Sequence, residues 1–158
     1  MQLNDVEILM SFWPMAEKNE PDTHLITDFI QFQNPGIQLV YPIADFSTCQ
    51  MKAVLTNEET EFKQNQYGIY EPTSGNEIEP EDIDAVFIPL LAFDKSGYRV
   101  GFGKGFYDRF LANCRPEILK LGISYFNAEE KIDDVDTYDV QLDYCITPEQ
   151  IYDFTEND

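Results

Sequence analysis

Three alternating glycines, Gly101, Gly103 and Gly105, surround Lys104 near the middle of the chain, and Arg99 lies just before them. Glycine allows the backbone to come close to a ligand, and neighbouring free N–H groups in such a loop can hold an anion. The two cations would flank the same set of amides. The residue types and their spacing therefore indicate an anion-binding loop, although the glycines alone could form no more than a tight turn.

The elements on either side of this loop suit that chemistry. The apolar run Ala85–Ile88 ends at Pro89 and is typical of a buried strand, and a turn is predicted at Asp94–Gly97. The residues from Phe106 to about Cys114 have helical spacing. A helix that begins directly after the loop would add free N–H groups and a partial positive charge to the anion site.

The rest of the chain alternates between strand and helix patterns. Strands are predicted at Val6–Phe12 and Ile37–Tyr41, the second ended by Pro42. Between them, Asp22 could cap a helix that runs through about Phe32. The later segments are predicted as a strand at Met51–Thr56, a helical turn or loop at Asn57–Gln66, an extended segment at Tyr67–Pro72, a surface loop at Thr73–Asp82, strands at Ile118–Tyr125 and Tyr144–Ile146, and a helix from Thr147 to about Phe154. This order indicates an α/β fold with a mostly parallel sheet and helices on both faces. In such folds ligands bind beyond the carboxyl ends of the strands.

Composition limits the partners. The 158 residues fit one domain, and the 43% of hydrophobic residues are enough for a sizeable core. A formal charge of −20 argues against nucleic acid and anionic membranes as partners. The three cysteines form no Cys-x-x-Cys pair, so we expect reduced thiols in a cytoplasmic protein without a signal peptide.

The glycine loop and its surroundings resemble the signature of the 5-formyltetrahydrofolate cyclo-ligase (5,10-methenyltetrahydrofolate synthetase) family. The matching positions are Ile88-Pro89, Phe93-Asp94, Gly97, Arg99, Gly101, Gly103-Lys104-Gly105, Tyr107-Asp108-Arg109 and Leu111. Weaker similarities occur at Glu20–Thr23, Gly68-Ile69, Glu71-Pro72, Asp139–Asp143 and Thr147–Glu149. Together they extend the resemblance from about Val6 to Ile151.

The resemblance implies a three-layer sandwich similar to ribose-phosphate isomerase and the CoA-transferases. It also implies ATP-dependent cyclisation of 5-formyltetrahydrofolate to 5,10-methenyltetrahydrofolate, with Mg²⁺ as cofactor and ADP and phosphate as products. We expect a single domain over residues 1–158 that lacks the usual N-terminal basic helix of the family, and a cytoplasmic monomer that binds no nucleic acid or membrane.

Site roles follow from the resemblance position by position. ATP is expected to contact Gly101, Phe102, Gly103, Lys104, Gly105, Phe106 and Asp108. The folate is expected to contact Glu20, Tyr67, Phe106 and Tyr107. The implied catalytic residues are Lys104, Tyr107 and Arg99, and the implied Mg²⁺ ligands are Asp108 and Asp139.

From the residues alone, ordinary structural roles stay open. Lys104 could be a surface cation and Asp139 a solvated loop acid. Asp108 could be favoured by the helix dipole, and Glu20 could belong to a helix start. The aromatic pair Phe106-Tyr107 could be part of the core.

The chain also departs from the family pattern. Phe102 stands where many relatives have Arg or Tyr, Phe106 replaces the first tyrosine of a usual Tyr-Tyr-Asp, and Tyr67 stands where Trp is frequent. Several such changes remove a cation or a donor from the ligand side. Two alternatives to the enzyme therefore stay open: a catalytically weakened relative that binds folate or nucleotide, and a structural module that keeps the fold.

Overall fold

An eight-stranded sheet lies at the centre of the protein, in a computed structural model that describes residues 1–102, 104–135 and 139–157. The strands of the described residues are β1 (Ile8–Met10), β2 (Gln38–Asp45), β3 (Gln50–Leu55), β4 (Phe62–Gln64), β5 (Tyr70–Pro72), β6 (Glu77–Ile78), β7 (Ala85–Ile88), β8 (Ala92–Phe93), β9 (Arg99–Val100), β10 (Leu119–Ile123), β11 (Tyr144–Ile146) and β12 (Ile151–Asp153). The α-helices are α1 (Thr23–Gln33) and α2 (Phe106–Ala112). Short 3₁₀ turns occupy Ala16–Lys18, Pro80–Asp82 and Thr155–Asn157.

The centre of the sheet is parallel and its margins are antiparallel. The strand order is β12-β11-β10-β7-β1-β2-β3-β6. The parallel pairs are β1 with β2 and β7, and β10 with β7 and β11, whereas β12, β3 and β6 join antiparallel. Two further ribbons, β4–β5 and β8–β9, lie outside this sheet. The predicted α/β class with a mostly parallel core is confirmed.

The two helices cover opposite faces of the sheet. Ile30 of α1 packs with Leu9 and Phe87 on one face. Phe110 and Leu111 of α2 pack on the other face, within the larger core cluster. The chain moves from β1 to β2 in one direction along the sheet and from β7 to β10 in the other. The strand order therefore reverses between β1 and β7, which is where open α/β sheets bind ligands at their carboxyl edge.

Local sequence signals determine where α1 begins. Its first helical residue is Thr23, and the side chain of the N-cap Asp22 accepts a hydrogen bond from the backbone N–H of His24 at 3.0 Å. A carboxylate at this position satisfies one of the unpaired N–H groups of the first turn. The predicted cap is confirmed.

Pro42 does not end the second strand, so that prediction was wrong. The strand β2 continues to Asp45, and Pro42 pairs opposite Ala53 of β3. Thr56 donates its N–H to the carbonyl of Leu39. The residues at odd-numbered positions of β2 therefore form the hydrogen-bonded pairs with β3. Pro42 thus lies at a position whose N–H would point away from β3, where a proline removes no ladder bond.

The predicted C-terminal helix is also absent, because residues 151–153 form β12 antiparallel to β11. The Thr147 hydroxyl accepts from the N–H of Gln150 at 3.2 Å, and the Thr147 N–H donates to the Gln150 carbonyl at 3.0 Å. The residues that resembled a helix cap close a tight turn instead. Pro148 fits such a turn as well as it fits a first helical position.

Two segments predicted as loops contain strands. Phe62–Gln64, in the segment read as a helical turn or loop, is β4 and pairs with β5. Glu77–Ile78, in the predicted surface loop, is β6 and pairs with β3 at the sheet margin. Both strands are too short for an alternating pattern to identify them.

The three cysteines are free thiols. Burial raises the pKa of Cys145 to about 12 and that of Cys114 to about 11, which keeps both thiols protonated at neutral pH. In the part of the chain that is described, no helix has the length and apolar character needed to cross a membrane.

Candidate functional site

Four loops meet at the carboxyl edge of the parallel strands. They are the segment after β1, which leads through Ala16–Lys18 to Glu20, the β2–β3 turn at residues 46–49, the β4–β5 turn at residues 65–69, and the glycine loop at residues 101–105. These loops come from distant parts of the sequence. Side-chain contacts among these loops define one candidate site.

The glycine loop is supported from the helix that follows it. Gly105 is the N-cap of α2 with φ +70°, a conformation that favours glycine. Arg109, one turn into α2, donates from Nη1 to the carbonyl of Lys104 at 2.5 Å. A Cβ on Gly105 would lie 2.8 Å from that Nη1, whereas a Cβ on Gly101 would meet nothing within 4 Å. Gly103 lies outside the described residues.

Lys104 is exposed, and its ammonium group pairs with no group of the described residues. A second cation, Lys18, lies on the opposite side of the loop, with its Nζ 4.8 Å from the centre of the Phe102 ring. Sequence reasoning missed Lys18, because no spacing rule relates residues 18 and 102. The contact connects the glycine loop to the segment that holds Glu20.

Arg99 and Asp108 form an ion pair beside the loop. Arg99 Nη2 lies 3.0 Å from Asp108 Oδ1, and the Arg99 side chain is only 7% exposed. Arg99 also donates from Nη1 to the Val140 carbonyl at 3.0 Å, and the Val140 N–H donates to the same Asp108 oxygen at 3.4 Å. The pair therefore links β9, the first turn of α2 and residues 139–140. Arg99 Nε is buried with no partner among the described residues.

The two predicted metal ligands are Asp108, which belongs to this ion pair, and Asp139. Asp108 is held by Arg99 and Val140, and Asp139 precedes Val140 in the chain and makes an interaction of its own. Among the described residues, no group of three or more His, Cys, Asp or Glu side chains could hold a metal ion. This donor set fits a Mg²⁺ that arrives with nucleotide phosphates better than an ion held by protein ligands alone.

Glu20 lies on the opposite side of the site and is 8% exposed. Its Oε2 accepts a hydrogen bond from the Met15 N–H at 2.6 Å. Burial raises the pKa of the Glu20 carboxyl, while the Met15 hydrogen bond and the charge of Lys18 lower it. Glu20 is therefore a buried carboxylate without a cation in direct contact among the described residues.

Tyr107 lies between these two sides. Burial raises the pKa of its hydroxyl well above the usual value, the charge of Glu20 raises it further, and the charge of Arg99 lowers it. The ring packs against the larger core cluster. Tyr107 is thus a protonated, partly structural residue whose hydroxyl lies within electrostatic range of both Glu20 and Arg99.

An aromatic cluster forms the outer part of the site. The ring centres of Phe46 and Tyr67 are 3.8 Å apart in a stacked arrangement, and Phe46 also meets Phe106 edge-on at 5.0 Å. Phe46 and Tyr67 border an open cavity of about 730 Å³, whose other lining residues are Ala44, Asp45, Ser47, Asn65, Gln66 and Glu71. Phe46 was not predicted, since a phenylalanine in a hairpin turn carries no signal of its own.

The ribbon that holds Tyr67 is fixed at its base. Trp13, in the segment after β1, packs on Phe62 of β4 at 4.8 Å and on Tyr70 of β5 at 5.1 Å. Glu71 accepts a hydrogen bond from the Ala44 N–H of β2 at 2.7 Å. The turn that holds Tyr67 is therefore attached to the first two strands of the sheet.

One residue of the signature has a purely structural setting. Asp94 is buried, and its carboxylate accepts hydrogen bonds from the N–H groups of Ser96, Tyr98 and Ile132 at 2.9, 3.0 and 3.0 Å. These bonds form the β8–β9 turn and attach it to residue 132. The turn in turn places Arg99 beside Asp108.

With this geometry established, comparison with known proteins identifies the family. The sequence profile of the 5-formyltetrahydrofolate cyclo-ligase family matches residues 4–148. The chain belongs to this family. A 5-formyltetrahydrofolate cyclo-ligase from Mycoplasma genitalium is 51% identical over 74 residues, which cover 46% of this chain and 44% of that protein. The enzyme of the same name from Escherichia coli K12 is 27% identical over 154 residues, covering 94% of this chain and 80% of that one.

Solved structures agree with the cyclo-ligase assignment. The Aquifex aeolicus 5,10-methenyltetrahydrofolate synthetase superposes with a TM-score of 0.74 at 26% identity, covering 95% of this chain and 72% of that chain. The Mycoplasma pneumoniae synthetase gives 0.65 at 29% identity, covering 90% and 73%. The matched part of the chain spans less than half the length of the two Mycoplasma cyclo-ligases, at 44% of each.

The structure brings most of the predicted site residues to one edge of the sheet. Arg99 pairs with Asp108, which follows Tyr107 in the chain, and Phe106 connects through Phe46 to Tyr67. The segment that holds Glu20 contacts Phe102 through Lys18. The ligand roles assigned to these residues stay predictions.

Proposed function

We propose that the protein catalyses ATP-dependent cyclisation of 5-formyltetrahydrofolate to 5,10-methenyltetrahydrofolate, with release of ADP and phosphate. The observation that supports it best is the convergence of residues from four loops at the switch point of a cyclo-ligase fold. A buried carboxylate, an aromatic surface and a cationic glycine loop lie there together. A reaction that transfers a phosphoryl group from a triphosphate to a substrate with a flat heterocycle needs these groups.

The chemistry requires activation of a poor electrophile. A formamide carbonyl resists attack by an amine, and its oxygen is a poor leaving group. Transfer of the γ-phosphoryl group of ATP to that oxygen makes it a good one. The neighbouring N10 amine can then attack the formyl carbon, and phosphate leaves.

On the nucleotide side, the amides of the glycine loop would receive the phosphates, and Lys104 would neutralise the charge on the transferred group. Phe102 and Lys18, which are in contact, would border the same space. Because both terminal nitrogens of Arg99 are used within the protein, we assign Arg99 to positioning Asp108. Mg²⁺ would be held by Asp108 and Asp139 together with phosphate oxygens, and would neutralise phosphate charge.

On the folate side, Phe106, Tyr107 and Tyr67 would contact the pterin and formyl groups, and Glu20 would accept hydrogen bonds from the ring. Phe46 joins this set, because it links the Tyr67 and Phe106 rings. Aromatic residues of this kind supply large contact areas and defined stacking geometry. Cytoplasmic location and a monomeric state stay predictions from the sequence.

Turnover measured by two readouts tests this function. The wild-type protein should form a product with methenyltetrahydrofolate absorbance and release ADP in equal amounts, only when ATP, Mg²⁺ and 5-formyltetrahydrofolate are all present. Lys104→Ala should lower kcat by about 10²-fold or more, as expected for the loss of a group that stabilises transition-state charge. Lys95→Ala is the matched control, since Lys95 is an exposed lysine paired only with Glu130.

Binding measurements separate the alternatives. If folate and ATP raise the melting temperature but no ADP is released, the protein is a binder that has lost turnover. If neither ligand shifts the melting temperature at concentrations that saturate other cyclo-ligases, the structural module is favoured and the enzyme is excluded.

A further inference from the structure

Ring closure requires a proton acceptor that the roles above do not provide. When N10 attacks the activated formyl carbon, a C–N bond forms and the C–O bond to the phosphoryl oxygen breaks. Phosphate leaves with the electron pair of that bond, and the N10 proton must also be removed. A general base placed near N10 would accelerate this step. This question arises only if the proposed cyclisation is correct.

Several groups at the site are poorly suited to take this proton. Asp108 is neutralised by Arg99 and accepts a second hydrogen bond from Val140. Tyr107 stays protonated, since burial raises its pKa. His24 packs edge-on against Trp13 at 4.5 Å, with Nε2 buried and without a partner among the described residues.

Glu20 has the opposite properties. It forms no ion pair with a described residue, and only Oε2 is used, by the Met15 N–H at 2.6 Å. That bond fixes the orientation of the carboxylate. It leaves Oε1 without a hydrogen-bond donor among the described residues, and Oε1 is not sealed from solvent. Lys18, two residues before Glu20, contacts the Phe102 ring of the glycine loop at 4.8 Å, so Glu20 lies on a segment that touches the loop proposed to receive the phosphates.

We propose that Glu20 is the general base of ring closure and accepts the N10 proton as the C–N bond forms. The proton passes to Oε1 while Oε2 keeps its bond to Met15, and phosphate departs from the same carbon. In the next cycle the carboxyl returns the proton to solvent through the open edge of the site. Glu20 thus has a catalytic role in addition to any hydrogen bond with the pterin.

The surroundings of Glu20 favour the protonated form of its carboxyl. Burial is the largest influence and raises the pKa of the carboxyl, and the charge of Glu17 raises it further. The Met15 N–H and the Lys18 charge lower it, so these influences partly offset the effect of burial. A carboxylate with a raised pKa is a stronger base than an ordinary glutamate, provided that it is ionised at the working pH.

Glu20→Gln tests the proposal, because glutamine keeps the size and the hydrogen bond to Met15 but cannot accept the proton. We expect kcat to fall by about 10²- to 10⁴-fold, the range for loss of a general base. Any rise in the KM for 5-formyltetrahydrofolate from a lost hydrogen bond to the ring should be smaller than the fall in kcat. The acid limb of the wild-type kcat–pH profile should disappear. Glu58→Gln, at an exposed glutamate that does not influence the Glu20 carboxyl, should behave as wild type.

The outcomes separate this proposal from the function on which it rests. If wild type turns over and Glu20→Gln raises KM with kcat unchanged, Glu20 only binds the ring and the base assignment is wrong. If the variant keeps the acid limb at a similar rate, the assignment is also wrong. If wild type itself releases no ADP and forms no product, the proposed function fails. Glu20→Asp, which keeps the carboxylate one methylene further away, should recover part of the rate, and thermal melting of all variants checks that they fold.

Discussion

The two carboxylates on either side of the site, Asp108 and Glu20, are held in opposite ways. Asp108 has a nearly buried arginine as its partner, and the pair links β9, α2 and residues 139–140. Glu20 is buried, whereas Asp108 is only partly buried, and the only described hydrogen bond of Glu20 comes from a backbone N–H. One carboxylate is therefore neutralised in place, and the other keeps an uncompensated charge.

This difference separates positioning from reactivity. A paired carboxylate such as Asp108 helps to set local geometry, and its bonded oxygen is already occupied by the guanidinium and by the Val140 N–H. A buried carboxylate without a cation destabilises the fold when it is ionised and gains basicity for the same reason. The Asp108 side should thus mainly affect stability, and the Glu20 side should mainly affect turnover.

The largest expected effect comes from breaking the paired side. Asp108→Ala leaves the Arg99 guanidinium buried without its anion, which should lower the free energy of unfolding by about 3 kcal/mol. Urea unfolding at neutral pH measures this change. The control is Glu130→Ala, which removes an exposed ion pair with Lys95 and should change stability by less than about 1 kcal/mol.

The double variant Arg99→Met/Asp108→Leu sharpens that test. If the loss arises from an unpaired charge, replacing both partners by apolar residues of similar volume should restore most of the stability while turnover stays low. A stability near wild type for Asp108→Ala alone would show that the pair has no structural role.

The second effect concerns the aromatic surface beside Glu20. Phe46→Ala removes the ring that contacts both Tyr67 and Phe106. We expect the KM for 5-formyltetrahydrofolate to rise about tenfold, because a stacked aromatic pair contributes on the order of 1 kcal/mol beyond its buried area. The KM for ATP should change less than the KM for the folate, since Phe46 reaches the glycine loop only through Phe106. Steady-state kinetics with each substrate varied in turn provide the measurement.

Phe32→Ala is the control for this variant. Phe32 is an exposed phenylalanine on α1 and has no ring contact with the described aromatic residues of the site. Equal changes in both KM values, or an equal effect from Phe32→Ala, would contradict a specific role of Phe46 in folate binding.

These two sides also differ in how far the sequence could predict them. The strand Ala85–Ile88 was predicted with its observed bounds and α1 with its cap, since an apolar run and an N-cap are local signals. The glycine loop, Arg99 and Asp108 lie within one short stretch, and the signature therefore locates this side of the site.

The other side depends on contacts between distant segments. Phe46 reaches Tyr67 only because β2 continues through Pro42 and the β4–β5 ribbon packs on Trp13. Lys18 reaches Phe102 only in the folded chain. No spacing in the sequence records such pairs. The same limitation explains the C-terminal error, where Thr147 and Pro148 fit a helix cap and a tight turn equally well until β11 provides a partner for β12.

A third effect distinguishes two glycines of the loop. Gly105→Ala forces an L-residue into φ +70°, which should lower stability by about 1 kcal/mol. Gly101→Ala meets no atom within 4 Å and should leave the urea midpoint unchanged. If the loop receives phosphates, Gly101→Ala should still raise the KM for ATP, because its methyl group would occupy space that the nucleotide needs. Unchanged ATP kinetics for Gly101→Ala would argue against a nucleotide at this position.

The smallest effect is a pH dependence of stability from Glu20. Burial raises its pKa in the folded protein, so the folded state binds this proton more tightly than the unfolded state does. The stability contribution of the protonated carboxyl is therefore fully present below the unfolded pKa and is lost as the pH rises through the folded pKa. Glu20→Gln removes this loss. Its free energy of unfolding relative to wild type should grow as the pH rises above about pH 4, where an ordinary glutamate titrates. Urea unfolding of both proteins over a series of pH values measures the difference, with Glu58→Gln as the exposed control. A difference that stays constant with pH would mean that the Glu20 carboxylate is already compensated, and the contrast with Asp108 would then be lost.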